Sequence, residues 1–171
     1  RVKIGVLALA AGRARRFGSD KRLARLPDGR YCIDAFLDQL ADSGLPVLVC
    51  LGPDDRELAR LLDERGCPYC HCHRAAEGMG GSLAEGIGHV TDWEGVLVAL
   101  ADMPWIASAT YRAVASQLDS DGICVPVFEG QPGHPVGFGR QFYNEIAALR
   151  GDTGARAIVE KHGGSIRRIA V

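Results

Sequence analysis

The chain has 171 residues, of which 47% are hydrophobic and 24% charged, and its formal net charge is −1. That length fits one domain with a core large enough to fold without a disulfide or metal, and the composition excludes a mainly disordered chain. A nearly neutral chain offers no overall positive field for nucleic acid or an anionic membrane, and no apolar run approaches the roughly 18–20 residues of a membrane-spanning helix, so neither partner is expected.

In chain order, residues 2–9 (VKIGVLAL) predict a buried strand that runs into a Gly-containing polar loop. Residues 33–42 carry Ile33, Phe36, Leu37 and Leu40 at helical spacing, and Gly44 sits where a helix would stop. Residues 46–51 (PVLVCL) predict a second strand. Residues 54–65 predict an amphipathic helix with Leu58, Leu61 and Leu62 on one face, ended by Gly66. A weaker third strand follows at 68–73, a helix at 82–90 and a fourth strand at 95–100 (GVLVAL). Residues 108–118 predict a helix capped by Ser108 or Thr110, and 123–127 a fifth strand. A short strand at 136–138, helices at 140–149 and 154–162, and a last strand at 165–170 complete the chain.

Strands such as VLVAL are apolar at nearly every position, so both their faces are covered. The expected fold is a single three-layer α/β domain over residues 1–171, Rossmann-like, with a mostly parallel sheet. In such sheets a ligand sits outside the carboxyl ends of the strands, so the loops after Leu9, His73, Leu100 and Val127 are the informative ones. Cysteines stand at 32, 50, 67, 70, 72 and 124. No signal peptide precedes the first strand, and the missing initiating Met reads as trimming, so free thiols in a reducing cytoplasm are expected.

The first loop begins Leu9-Ala10-Ala11-Gly12 and continues through Arg13, Arg15, Arg16, Gly18 and Lys21. Small residues let a backbone approach a phosphate closely, and the cations make a local anion site in a neutral chain. The loop matches neither G-x-G-x-x-G nor G-x-x-x-x-G-K-[ST], and on composition alone it also fits a solvated basic loop. Asp102 follows the GVLVAL strand, where a carboxylate faces the crevice; it suits a divalent metal or a simple turn cap. Gly78-Met79-Gly80-Gly81-Ser82 precedes a helix, with N–H groups and a hydroxyl for a polar ligand edge or for an N-cap at Ser82. His134, in Gly133-His134-Pro135, fits an acceptor contact, proton transfer or a brace for the turn; Asp152, in Gly-Asp-Thr-Gly, fits a cap for the following helix.

The run Cys67-Pro-Tyr-Cys70-His71-Cys72-His73 has the residue types of a zinc site. No second Cys pair or spaced His pair follows, and on a strand Cys70 and Cys72 share one face while His71 and His73 share the other. These ligands would diverge, which argues against a functional zinc site over this run.

Ala-Ala-Gly, then Arg-Phe-Gly, then Lys21 resembles the nucleotide-binding signature of the MobA-like nucleotidyltransferases, which reads roughly L-A-[AG]-G-x-[SGA]-x-R-[MF]-G-x-x-K. The resemblance continues through Gly78–Leu83, Ala101-Asp102-Met103-Pro104, Gly133-His134-Pro135-Val136 and Gly151-Asp152-Thr153-Gly154-Ala155-Arg156, in the family's order along nearly the whole chain. The nearest branch is the molybdenum cofactor cytidylyltransferases. The chain departs from the pattern at Arg13, Arg15 and Asp20, and in its short length.

The resemblance implies a fold of the nucleotide-diphospho-sugar transferase type. It implies transfer of CMP from CTP to molybdopterin, with release of pyrophosphate, and a molybdenum hydroxylase as user of the product. It assigns catalytic roles to Lys21, Arg16 and Asp102, with Asp102 holding Mg²⁺. Nucleotide or acceptor contact is implied for Leu9, Ala10, Ala11, Gly12, Gly18, Gly80, Gly81, Ser82, His134 and Asp152. The preference for CTP rests on Ala11, because the guanylyl branch tends to carry Gly-Gly at this point. A guanylyltransferase, a sugar-phosphate nucleotidyltransferase and a non-catalytic carrier of the pterin cofactor are the alternatives.

Overall fold

A computed structural model describes residues 3–11, 15–16 and 19–171, with the backbone alone at 15–16 and 19–21. Strand β1 (Ile4–Leu9) is buried at every position. Its side chains alternate: Val6 and Ala8 enter one apolar cluster, Leu7 and Leu9 the other. After it, β2 (Arg15–Arg16) and β3 (Ser19–Asp20) pair antiparallel as a small hairpin, where the sequence predicts only loop.

The remaining elements follow in order: α1 (Cys32–Ser43), β4 (Val47–Leu51), α2 (Arg56–Arg65), β5 (Tyr69–His71) and α3 (Met79–Ile87). Then come β6 (Gly95–Leu100), α4 (Ser108–Gln117), β7 (Ile123–Phe128), β8 (Gln131–Pro132) and β9 (Val136–Gly139). The chain closes with α5 (Tyr143–Ala147), α6 (Arg156–Lys161) and β10 (Ile166–Ala170).

One eight-stranded sheet has the order β10-β7-β9-β6-β1-β4-β5, with β8 paired to β7. Its pairings β1–β4, β1–β6, β4–β5 and β7–β10 are parallel. Strand β9 is antiparallel to both β6 and β7. The chain leaves β7 through a tight turn with positive φ at Glu129 and Gly130 into β8, and so short a return brings β8, and β9 after it, back antiparallel to β7. Ile33, Phe36 and Leu40 of α1, Leu58 and Leu62 of α2, and Tyr111 and Val114 of α4 cover one face. Leu83 and Ile87 of α3, Ile146 of α5 and Ile158 of α6 cover the other. The chain is thus the expected three-layer α/β domain with a mostly parallel sheet.

Several boundaries differ from the sequence reading for local reasons. The third strand ends at His71, because the Cys72 N–H closes the ladder on the Leu51 carbonyl (2.6 Å) and a 3₁₀ turn, His73–Glu77, follows. Helix α3 starts at Met79, not at 82: Gly78, at φ 115°, is its N-cap, and Ser82 lies a turn inside. Ser108 and Thr110 do not cap α4 with their side chains; Ala107 is the N-cap, and Gln39 Oε1 accepts from the Ser108 N–H (2.9 Å). Residues 140–149 divide into a 3₁₀ turn, Arg140–Phe142, and the short α5. Among the described residues, no helix is long and apolar enough to cross a membrane.

Candidate functional site

The carboxyl ends of β6, β1 and β4 lie side by side at the middle of the sheet. The ladder continues one step past β1: the Ala10 N–H donates to the Cys50 carbonyl (2.9 Å) and the Ala101 N–H to the Leu9 carbonyl (3.0 Å). Leu9 and Ala10 are therefore buried and Ala11 half-buried, so the polypeptide leaves the sheet at the position expected of a phosphate loop. Gly12 and Gly18, and the side chains of Arg16 and Lys21, lie outside the described residues.

What anchors this loop is a residue that the sequence reading passed over. Arg22, in the 3₁₀ turn Lys21–Leu23, is buried. Its guanidinium grips Asp55 bidentately, at 2.8 Å to Oδ2 and 2.9 Å to Oδ1, and also donates to the Ala10 carbonyl. Asp55 Oδ2 in turn accepts from the Gly52 N–H (2.7 Å), and His71 Nδ1 donates to the Gly52 carbonyl (2.8 Å). One ion pair thus ties the exits of β1 and β4 to the turn that follows the basic loop. Such planar, charge-assisted pairs are strong and directional. Arg22 and Asp55 are 33 positions apart, so no local pattern signals the pair.

Asp102 follows β6 by two residues and is exposed. Among the described residues it makes no hydrogen bond or ion pair. His134 is half-buried just before β9. Because β9 runs antiparallel to β6, with Val98 opposite Val136, the start of β9 meets the end of β6. This register brings His134 and Asp102 to one corner of the crevice. Burial pushes the His134 imidazole below its ordinary range, and the Asp102 carboxylate opposes that shift. An unpaired, exposed carboxylate oxygen is a hard donor. It fits a divalent cation that keeps waters and takes its other ligands from substrate phosphates.

The α3 end of the site differs from the sequence reading. Gly80, Gly81 and Ser82 are buried. The Gly80 N–H is already engaged by the Gly151 carbonyl (2.9 Å), so it is not an open donor. A Cβ at Gly80 would overlap the Thr153 carbonyl, and one at Gly81 the Arg74 carbonyl. These glycines let the segments around 74 and 150–153 close onto α3. Asp152 does not cap the following helix, whose N-cap is Ala155 with no side-chain hydrogen bond. It lies against Gly78, where a Cβ would strike it. Asp152 itself is exposed, so this contact sets it beside the α3 entrance.

Residues 67–73 do not form one site. His71 turns to Gly52, while Cys70 and Cys72 lie together on the opposite face, with Sγ atoms 4.0 Å apart. Cys50 of β4 joins them. All six cysteines are free.

Residues 6–166 match the family model of the MobA-like NTP transferase domain. The chain is similar to the crystal structure of Rv0371c from Mycobacterium tuberculosis H37Rv, at TM-score 0.84 and 27% identity, over 99% of this chain and 88% of that one. A structure of Rv0371C in complex with manganese gives TM-score 0.84 at 26% identity, with coverage of 99% and 88%. A nucleotidyl transferase from Methanothermobacter thermautotroptrophicus shares the fold at TM-score 0.83 and 18% identity, over 99% of this chain and 87% of that one. No curated protein sequence matches the chain.

The anchor makes a direct prediction. Removing one partner of a buried ion pair leaves the other uncompensated, so Arg22→Ala or Asp55→Ala should each lower stability by about 3–5 kcal/mol. The double variant Arg22→Met/Asp55→Leu should recover part of that loss. Urea unfolding followed by circular dichroism checks both.

Proposed function

The chain belongs to the MobA-like NTP transferase family, and we propose that this nucleotidyl-transfer enzyme moves CMP from CTP to the phosphate of molybdopterin or its molybdenum-loaded form. The observation that carries the reading is the corner shared by Asp102 and His134 beside the exit of β1, in a chain whose first loop holds Arg16 and Lys21.

In this reading the donor triphosphate lies on the backbone of residues 10–18, and Arg16 and Lys21 offset its charge. Asp102 would hold a divalent cation, which we assign as Mg²⁺. When bound, the ion neutralises phosphate oxygens and the departing pyrophosphate. An acceptor phosphate oxygen forms a bond to the α-phosphorus. The bond from that phosphorus to the α,β-bridging oxygen breaks in line, and pyrophosphate leaves with the electron pair. The protein supplies position and electrostatics, with no covalent intermediate. The depressed basicity of His134 keeps its imidazole neutral near pH 7, so it contacts the acceptor side as a hydrogen-bonding group. We assign Asp152 to the second substrate; its exposure against Gly78 supports that assignment. The product is the cytosine dinucleotide form of the cofactor, for use by a molybdenum hydroxylase. The free thiols of all six cysteines agree with action in the reducing cytoplasm.

Asp102→Asn should abolish metal-dependent turnover and leave the fold intact, because the side chain is exposed and makes no hydrogen bond or ion pair among the described residues. Pyrophosphate release at varied Mg²⁺ measures this, and wild-type turnover with unchanged Mg²⁺ dependence would remove Asp102 from the role.

The base preference is read from Ala11, whose methyl group occupies space that a purine would need. CTP should be preferred over GTP. Ala11→Gly should relax that preference by about tenfold without reversing it, since one methyl is worth about 1–3 kcal/mol in a pocket. The ratio of kcat/KM for CTP and GTP in parent and variant decides it, and a parent that prefers GTP refutes the assignment.

A further inference from the structure

Behind the nucleotide crevice, the face of the sheet under α3 carries a group of side chains that nucleotidyl transfer does not use. Cys50 and Cys70 are direct partners across the parallel β4–β5 pair. Cys72 follows on the same face as Cys70, at 4.0 Å between Sγ atoms. The three sulfurs all lie within 4.8 Å of one another. Cys50 and Cys72 are fully buried, and Cys70 is half-buried at the open side of the group. Gly86 of α3 sits over Cys50, where a Cβ would stand only 2.6 Å from the sulfur. Only a glycine there lets the helix lie this close to the thiol.

We infer that Cys50, Cys70 and Cys72 form a three-thiolate site for a single thiophilic d¹⁰ cation, with Zn²⁺ as its occupant. Zinc–sulfur bonds are about 2.3 Å, so thiolates around one zinc lie about 3.8 Å apart when tetrahedral and about 4.0 Å when trigonal. The observed spacing needs little adjustment to meet that geometry. Sulfur donors select zinc or monovalent copper over the hard cations that suit Asp102. Charge separates the two soft ions. Three thiolates leave one net negative charge around Zn²⁺ and two around Cu⁺, and an apolar setting among Leu7, Leu9 and Leu83 favours the smaller residual charge. The fourth position opens on the Cys70 side, where water can reach it. Binding displaces the thiol protons to solvent.

The bound ion would tie β4 and β5 to the 3₁₀ turn that follows them, since Cys72 is the residue directly before that turn. It differs from the run over 67–73 considered from sequence: both histidines are left out, and the third ligand comes from another strand.

The test uses the full chain, stripped of metal and kept reduced with a non-thiol reductant. Titration with Cd²⁺ alone is followed by near-ultraviolet thiolate-to-metal charge-transfer absorption, which carboxylate sites such as Asp102 do not produce. Saturation at one Cd²⁺ per chain is expected. Cys70→Ser should weaken binding at least tenfold and lower the absorption, whereas Cys67→Ser should leave both unchanged. As a readout free of mutation, one equivalent of Zn²⁺ should slow alkylation of Cys70 in the parent at least tenfold and leave Cys67 as reactive as before. Absence of charge-transfer absorption, equal binding by Cys70→Ser, or unprotected Cys70 would overturn the site. So would a chain that reaches the reduced state only after a disulfide among the three cysteines is cleaved.

Discussion

The buried pair of Arg22 and Asp55 is the constraint on which the rest of the site depends. A parallel sheet ends in open backbone groups, and a loop rich in glycine and arginine cannot cover them from its own apolar content. Arg22 accepts that task at the Ala10 carbonyl, while Asp55 takes the Gly52 N–H. Burying two charges costs several kcal/mol each unless their geometry and remaining hydrogen bonds compensate. Here the Asp55 carboxylate meets both terminal guanidinium nitrogens and the Gly52 N–H, so the pair favours one arrangement of the two strand exits. Lys21 precedes Arg22 directly in the chain, and its backbone position is therefore set by the same anchor.

A second constraint is topological. The two candidate residues Asp102 and His134 come to one corner from opposite strand directions. Strand β6 runs toward the crevice and delivers Asp102 just beyond its end. Strand β9 runs away from it and delivers His134 just before its start. Had β9 been parallel to β6, His134 would lie at the far edge of the sheet. The antiparallel insertion between β6 and β7 thus lets one carboxylate and one neutral imidazole share a corner without being close in sequence.

Much of this was legible in the sequence. The doubly apolar runs of β1 and β6 marked a covered parallel sheet, and Asp102 stands out as a candidate because it lies two residues past such a run. The helices α1 and α2 carried clear periodicity and were stopped by Gly44 and Gly66, both left-handed in the structure. Long-range pairings were not legible. Nothing near Arg22 points to Asp55, and nothing near Cys70 points to Cys50, because strand order alone makes them neighbours. Ser82 has the residue type of a cap, yet Gly78 reaches the required backbone angles earlier and takes the position. Gly80 and Gly81 read as ligand-facing because glycine serves close approach of any kind; here the closest approach is made by the chain's own carbonyls.

In the proposed function, the crevice above β6, β1 and β4 carries nucleotidyl transfer to a phosphate acceptor. Phosphorus-31 NMR of the enzyme incubated with CTP, Mg²⁺ and molybdopterin tests it most directly. The α-phosphorus of CTP is expected to move into a new diphosphate linkage joined to the pterin, with one free pyrophosphate formed for each linkage. Inorganic phosphate with CDP as the products would place the cleavage at the γ-phosphorus and contradict the mechanism.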